Sequence, residues 1–225
     1  VTPGRLADAA LGFVVAVVLA SIAASALMAI DPDLVDGAAG LVVPSLAMWV
    51  GFIGVPVAVS RRRGTGDLGQ DFGLRASWGD AAIGVPLGAV TQLVALPALY
   101  FVLGVFVDTS ALSDPAKATM DRGSGLAMAA VILVVGIGAP IAEELFFRGL
   151  FQRAAQARFG GVRGLLLVAA VFGASHFQPL QFPGLFLAGL VFGALAWRSG
   201  RLGPAVFAHI GFNMAAVVVL LWESW

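Results

Sequence analysis

Both histidines of the chain, His176 and His209, lie in apolar stretches, as do two of its three glutamates, Glu143 and Glu144. Arg148 and the amide of Asn213 join them there. Ionisable groups at membrane depth are costly to keep, which makes them functional candidates by default. Their spacing assigns neighbours. Glu144 and Arg148 are four residues apart, so on a helix they share a face and can pair. Glu143 points about 100° away around the same helix and is free to face a cavity. Phe172 with His176, and His209 with Asn213, are also four apart. Desolvation raises the pKa of a buried carboxylate, while a neighbouring Arg lowers it. Two adjacent glutamates near one Arg and two His can therefore leave one carboxylate poised as a base for water. General-base hydrolysis requires such a group.

Composition dictates what must position these groups. The 225 residues are 60% hydrophobic and 12% charged, with zero net charge, against about 25% charged in a soluble domain. So little polar surface implies an integral membrane protein. Zero net charge gives a nucleic-acid partner no electrostatic support. The absence of cysteine removes disulfides, thiolate zinc sites and cysteine nucleophiles.

A transmembrane helix needs roughly 20 apolar residues. Stretches free of Asp, Glu, Lys and Arg run Ala9–Ile30, Gly37–Ser60, Ala81–Val107, Gly123–Ala142, Gly164–Trp197 and Leu202–Trp222. The fifth is too long for one span, and Gln178, Pro179, Gln181, Pro183 and Gly184 break it as turn punctuation does. The first has a competing reading as a signal peptide, but it exceeds the usual h-region in length and reads as a retained helix. An all-α, polytopic membrane protein of about seven transmembrane helices follows. It forms a single membrane-embedded domain over residues 1–225, without internal repeats.

Basic residues orient such spans. With the N-terminus cytoplasmic, Arg5, Arg61–Arg63, Arg75, Arg153, Arg158, Arg163, Arg198 and Arg201 fall on the cytoplasmic side, against Lys117 and Arg122 outside. The Gly-rich stretch Arg61–Asp80, with Phe72, Leu74 and Trp78, reads as lying along the interface, where Trp favours the headgroup level. The Asp108–Gly125 loop reads as carrying a short surface helix, with Asp121 and Arg122 solvated or facing headgroups.

Depth decides whether the polar groups can meet. If the fourth helix continues to Arg158, Glu143 lies roughly 22 Å before its end. His176 lies roughly 20 Å above Arg163 and His209 roughly 12 Å above Arg201 on the same rise. A helix stopping at Phe147 would leave Glu143 at the surface. The good helix formers from Leu150 to Ala155 favour continuation, and Pro140 predicts a kink or restart just before the glutamates.

Glu143-Glu144-Leu145-Phe146-Phe147-Arg148, Phe172-Gly173-Ala174-Ser175-His176 and His209-Ile210-Gly211-Phe212-Asn213 resemble the ordered EExxxR, FxxxH and HxxxN/D motifs of the CPBP intramembrane proteases. That family includes CAAX prenyl proteases and the bacterial Abi proteins. The resemblance runs from about Ala139 to Met214, within a motif-bearing core of about 124–222. It implies an endopeptidase whose site is buried in the membrane and reached from the cytoplasmic side. Carried over, Glu143 activates the attacking water with help from His176. His209 and Asn213 stabilise the oxyanion, as preorganised donors do. Glu144, Arg148 and Phe172 support them.

Zinc is the competing expectation. Glu143, His176 and His209 could supply three ligands and leave a fourth position for water. There is no H-E-x-x-H helix, and a metal-free glutamate mechanism without cofactor is favoured.

Plainer readings stand beside these. The glutamates could couple protons in a transporter, and the fold could serve a non-proteolytic immunity or scaffold protein. His176 could be a hydrogen-bonded core histidine, and Phe172 a packing residue. Asn213 could donate a hydrogen bond between helices, and the glycines at 184, 189 and 193 could mark close-packed faces. The expected partners are membrane lipid and a membrane-anchored peptide or protein substrate. One Lys against twelve Arg suggests a GC-rich bacterial source, hence a bacterial plasma membrane.

Overall fold

Long apolar stretches must satisfy their backbone hydrogen bonds internally when no water is at hand, and this chain does so with helices. The computed structural model describes residues 3–122 and 125–223 and contains no strand among them. The expected start of the motif-bearing core at Ser124 lies outside the described residues. Seven main helices follow in order: α1 (Leu6–Ile30), α2 (Ala38–Arg63), α3 (Trp78–Leu103), α4 (Leu126–Phe159), α5 (Gly161–Ala174), α6 (Phe182–Ser199) and α7 (Gly203–Glu223). Six are long and apolar enough to cross a membrane; α5, also apolar, has 14 residues. The chain is an all-helical integral membrane protein.

The break expected within the fifth apolar stretch falls between Ala174 and Phe182. The fourth helix does continue past Arg148, as far as Phe159.

Local chemistry sets the helix ends. Ser77 and Asp80 form a reciprocal capping box at the start of α3, satisfying two donors that a helix start leaves open. Gly200 ends α6 at φ 69, in the left-handed conformation that favours glycine after a helix. Inside the helices, proline imposes its own geometry. Pro97 and Pro140 each follow a π-helical segment, Thr91–Ala95 and Val134–Gly138. A proline lacks an N–H and its ring crowds the carbonyl four residues back; widening the preceding turn by one residue relieves that clash. A third π segment, Leu145–Gln152, lies immediately after the two glutamates.

Small residues let the helices touch. Gly51 lies against the backbone of Gly12 and Ala16, joining α1 to α2. Gly88 faces the Ala208 carbonyl and Gly211 that of Val85, joining α3 to α7. Van der Waals packing at such positions replaces a hydrophobic drive that lipid tails do not provide. Gly189 meets Ala169, Gly193 meets Leu165 and Gln152, and Gly184 meets Tyr100, so the three expected glycines do mark close contacts. The core between the helices is aromatic: Phe146 stacks on Phe52 at 4.5 Å and meets Phe147 edge-on at 5.0 Å.

The two ends of the bundle differ. At the arginine-rich end, Arg153 donates to Gly200 O at 2.8 Å and Arg201 pairs with Asp80 at 2.6 Å. At the other end Arg122 donates to Val35 O at 2.7 Å and Gln181 to Leu112 O at 2.8 Å. Arg122 therefore ties two connections together, where a solvated charge was expected. The Asp108–Gly125 connection does contain a short helix, Asp114–Met120. The interfacial reading of Arg61–Asp80 fits Trp78, which is 92% exposed, but not Phe72, which is wholly buried. Phe72 reaches the core because Gly149 on α4 leaves room for it.

Candidate active site

The polar centre is assembled from α4, α6 and α7 around one carboxylate oxygen. Glu144 Oε1 accepts from Arg148 Nη1 at 2.7 Å and from His209 Nδ1 at 2.9 Å. The Glu144 and Arg148 side chains have no solvent exposure. A buried ion pair survives only with further partners, because desolvation of the two charges offsets their attraction. Arg148 has them: Nη2 donates to Gly189 O at 3.3 Å, and the guanidinium lies 4.4 Å from the centre of the Phe172 ring. The second contact is a cation–π interaction in a water-poor setting, where it is strongest.

Hydrogen bonding fixes the faces of both imidazoles. His209 gives its Nδ1 proton to Glu144, which leaves Nε2 as the ring's other face. That Nε2 sits 4.0 Å from Glu143 Oε2, beyond direct hydrogen-bond range. His176 follows the last turn of α5, and its Nδ1 is 2.8 Å from Phe172 O. A carbonyl oxygen only accepts, so Nδ1 carries the proton, and in the neutral ring Nε2 keeps its lone pair.

Phe172 is the hub between these groups. The His176 ring lies 5.0 Å from it and the His209 ring 5.8 Å, both edge-on. His209 also stacks on Phe192 at 4.7 Å and 20°. The two histidines, 33 residues apart in the chain, thus flank one aromatic ring.

Glu143 is the exception in this network. Its side chain is 12% exposed, and its Oε2 is buried without a hydrogen-bond partner. The neighbouring Glu144 accepts twice through Oε1, from Arg148 and His209, although its Oε2 is likewise buried without a partner. The pairing of Glu144 with Arg148 expected from their spacing is present, while Glu143, expected to face a cavity, lines neither of the two cavities described below. Asn213 lies one turn beyond His209, and its Nδ2 donates to Val135 O on α4 at 2.8 Å. This is the interhelical hydrogen bond of the plainer reading.

Two aromatic residues at the site carry no motif. Phe192 could have been noticed only from its place among the glycines of α6. Tyr100 had a signal in composition, as the single tyrosine of the chain. Its hydroxyl donates to Leu180 O and accepts from Gly184 N–H, each at 3.1 Å. It thereby pins the α6 end of the loop between α5 and α6; His176 lies at the loop's other end. Within that loop Phe177 adopts φ 55 and is 77% exposed, a strained conformation for a bulky residue.

As metal donors the groups have the right chemistry. Each histidine holds its Nδ1 against an oxygen acceptor, the arrangement that orients a metal-ligating imidazole. Geometry does not follow: among the described residues no three His, Asp or Glu side chains converge as a metal site requires. A recess of about 350 Å³ at the arginine-rich end, lined by Gly73, Arg75, Ser199 and Arg201 among others, contains none of the site residues. A narrower cleft of about 90 Å³ runs between α4 and α6 along Arg153, Gln156, Trp197 and Gln152 to Arg148.

Residues 125–215 match the family model described as Rce1-like, type II CAAX prenyl endopeptidase Rce1-like. All three motifs and every site residue above except Tyr100 lie within that match, which bears out the resemblance read from the motifs. No curated protein and no solved structure matches the chain.

Proposed function

We propose that this chain, similar over 125–215 to Rce1-like endopeptidases, is an intramembrane endopeptidase in which Glu143 activates the attacking water. One observation carries the reading. Of two adjacent carboxylates in the bundle, each with a buried Oε2 that has no partner, Glu144 is held through its other oxygen by Arg148 and His209, while no hydrogen bond engages Glu143. A carboxylate to which nothing donates is free to accept a proton from any water that reaches it.

The chemistry then runs on residues of this chain. Glu143 takes a proton from water as its oxygen attacks the carbonyl carbon of the scissile peptide bond. The proton that Glu143 takes is relayed through the bare Nε2 of His176 to the departing amine nitrogen as the C–N bond breaks. His209, held at Nδ1 by Glu144, turns Nε2 toward the site, where a proton drawn from solvent would let it donate to the oxyanion with Glu144 meeting the charge. A preorganised donor of this kind is worth roughly a hundredfold to a thousandfold. No step requires a metal. The substrate class supported by an endopeptidase match and lipid-facing helices is a membrane-anchored peptide or protein.

Purified protein in detergent, offered a peptide library with mass-spectrometric readout, should yield defined cuts. Glu143→Ala and His176→Ala should each abolish them, and strong chelator should leave them intact. Proton-coupled flux that Glu143→Gln removes, without cleavage of any peptide, would overturn the proteolytic reading. Stoichiometric zinc with chelator-sensitive activity would overturn the metal-free mechanism.

A further inference from the structure

Asn213 hydrogen-bonds a part of α4 whose own ladder is broken. Around Val134 that helix runs in π register, and the Ala139 N–H donates to Val134 O. In the same register the next carbonyl, that of Val135, would be met by the N–H of residue 140. Residue 140 is proline and has none to give. A carbonyl orphaned in an apolar bundle is costly. Asn213 Nδ2 donates to that same Val135 O at 2.8 Å. Because a carbonyl only accepts, this contact also fixes which way the amide points.

The approach is built for close contact. Gly136, the next residue, faces Met214 on α7, and any Cβ there would collide with the Met214 sulfur. One turn earlier on α7, His209 holds Glu144. Helix α7 therefore grips α4 on both sides of Pro140, at Val135 and at Glu144, and Glu143 lies inside that grip.

We propose that Asn213 is a positioning residue whose side-chain amide replaces the missing N–H of Pro140 and so holds the bend that aims Glu143. This rests on the reading of Glu143 as the water-activating group. It differs from a role in which Asn213 acts through the reacting oxygen, because it makes the need for Asn213 conditional on the proline. Removing the proline restores a backbone donor and makes the amide dispensable.

The test is a double-mutant cycle on the full chain with Asn213→Ala, Pro140→Ala and the pair together. Thermal unfolding in detergent and peptide cleavage are both measured. With Pro140 present, Asn213→Ala should lower kcat about tenfold or more with KM little changed, as misplacement of a reacting group does. It should also move the limb of the kcat–pH profile that reports Glu143. In the Pro140→Ala background the same substitution should cost less than about threefold, and its effect on unfolding should shrink likewise. Pro140→Gly offers the same N–H where Pro140→Ala does not fold. An Asn213→Ala protein that folds only without the proline supports the proposal most directly.

Equal loss of kcat in both backgrounds would overturn it and assign Asn213 to the reacting oxygen. Should the wild-type protein cleave nothing, the proteolytic reading fails separately. The unfolding cycle then decides alone: non-additivity upholds the Asn213–Pro140 substitution and additivity overturns it.

Discussion

Asp71, near the arginine-rich end, accepts from the Ser60 hydroxyl and from the N–H and hydroxyl of Thr65, whereas Glu143, in the middle of the bundle, has an oxygen that nothing donates to. Asp80 behaves like Asp71, accepting from Ser77 N–H at 2.8 Å and pairing with Arg201. These two carboxylates stitch connections to helix ends, and their partners account for them. Glu144 shows that depth alone is not the distinction. It lies beside Glu143 and is wholly buried, yet its Oε1 takes two donors, as the carboxylates near the arginine-rich end do. A carboxylate held by donors through at least one oxygen supports structure; one that no donor engages is free to take a proton from water. The fold makes that difference between neighbours in sequence by placing His209 and Arg148 on one side of α4 only.

The comparison is tested hardest by exchanging the two kinds of carboxylate. Glu143→Gln should lower cleavage by roughly a thousandfold or more, the range of a lost general base, with the unfolding midpoint nearly unchanged. Asp71→Asn should do the reverse, lowering the midpoint and leaving kcat alone. If Glu143→Gln destabilised the protein as Asp71→Asn does, the distinction between them would collapse.

Glu144→Gln tests the intermediate case and should damage both properties. Arg148 would stay buried with its counter-charge gone, and breaking a buried pair costs about 3–5 kcal/mol. His209 would also lose the acceptor that fixes its tautomer. Denaturant unfolding and kcat measured on the same preparation would show a joint loss; a loss of activity alone would move Glu144 into the reacting group.

A smaller effect is expected at the loop that carries His176. Tyr100→Phe removes one hydroxyl that serves Leu180 O and Gly184 N–H. It should lower kcat about tenfold through a loosened His176 and speed amide exchange over residues 175–182. Unchanged exchange there would show that Gln181 and packing hold the loop without Tyr100.

The smallest expected effect is a pH dependence at the arginine-rich end. The Ser60 hydroxyl, assisted by Thr65, holds the Asp71 carboxyl below its usual value of 3.8. A carboxylate with a depressed folded pKa stabilises the protein above its unfolded pKa, and that share is lost as pH falls through the folded one. Wild type should therefore lose stability below about pH 4 more steeply than Asp71→Asn. Parallel unfolding curves for the two proteins across that window would refute the assignment.

Much of the site was legible before any fold was known, because scarcity marked it. With both histidines and two of three glutamates on apolar stretches, spacing alone paired Glu144 with Arg148 and left Glu143 over. The Phe172–His176 contact followed from the same four-residue logic. Tyr100 and Phe192 were not legible, since a tyrosine hydroxyl reaching 80 residues along the chain to Leu180, or a ring stacked on His209, leaves no local pattern. Phe72 and Arg122 were misplaced for a related reason. Sequence hydropathy sees a residue's own character, not the space that Gly149 opens for one or the carbonyl of Val35 that receives the other.

The sequence by itself determined that the chain is helical and membrane-embedded, where most helices break, and which few groups could do chemistry. Those properties depend on composition and on spacings within a turn or two. Only the tertiary structure decided how those groups share their partners. It gave Glu144 the hydrogen bond from His209, withheld one from Glu143, and engaged Asn213 with the carbonyl that Pro140 leaves unmet. Each of these is a contact between helices far apart in the chain, set by close packing at glycines and by where a proline interrupts the backbone ladder.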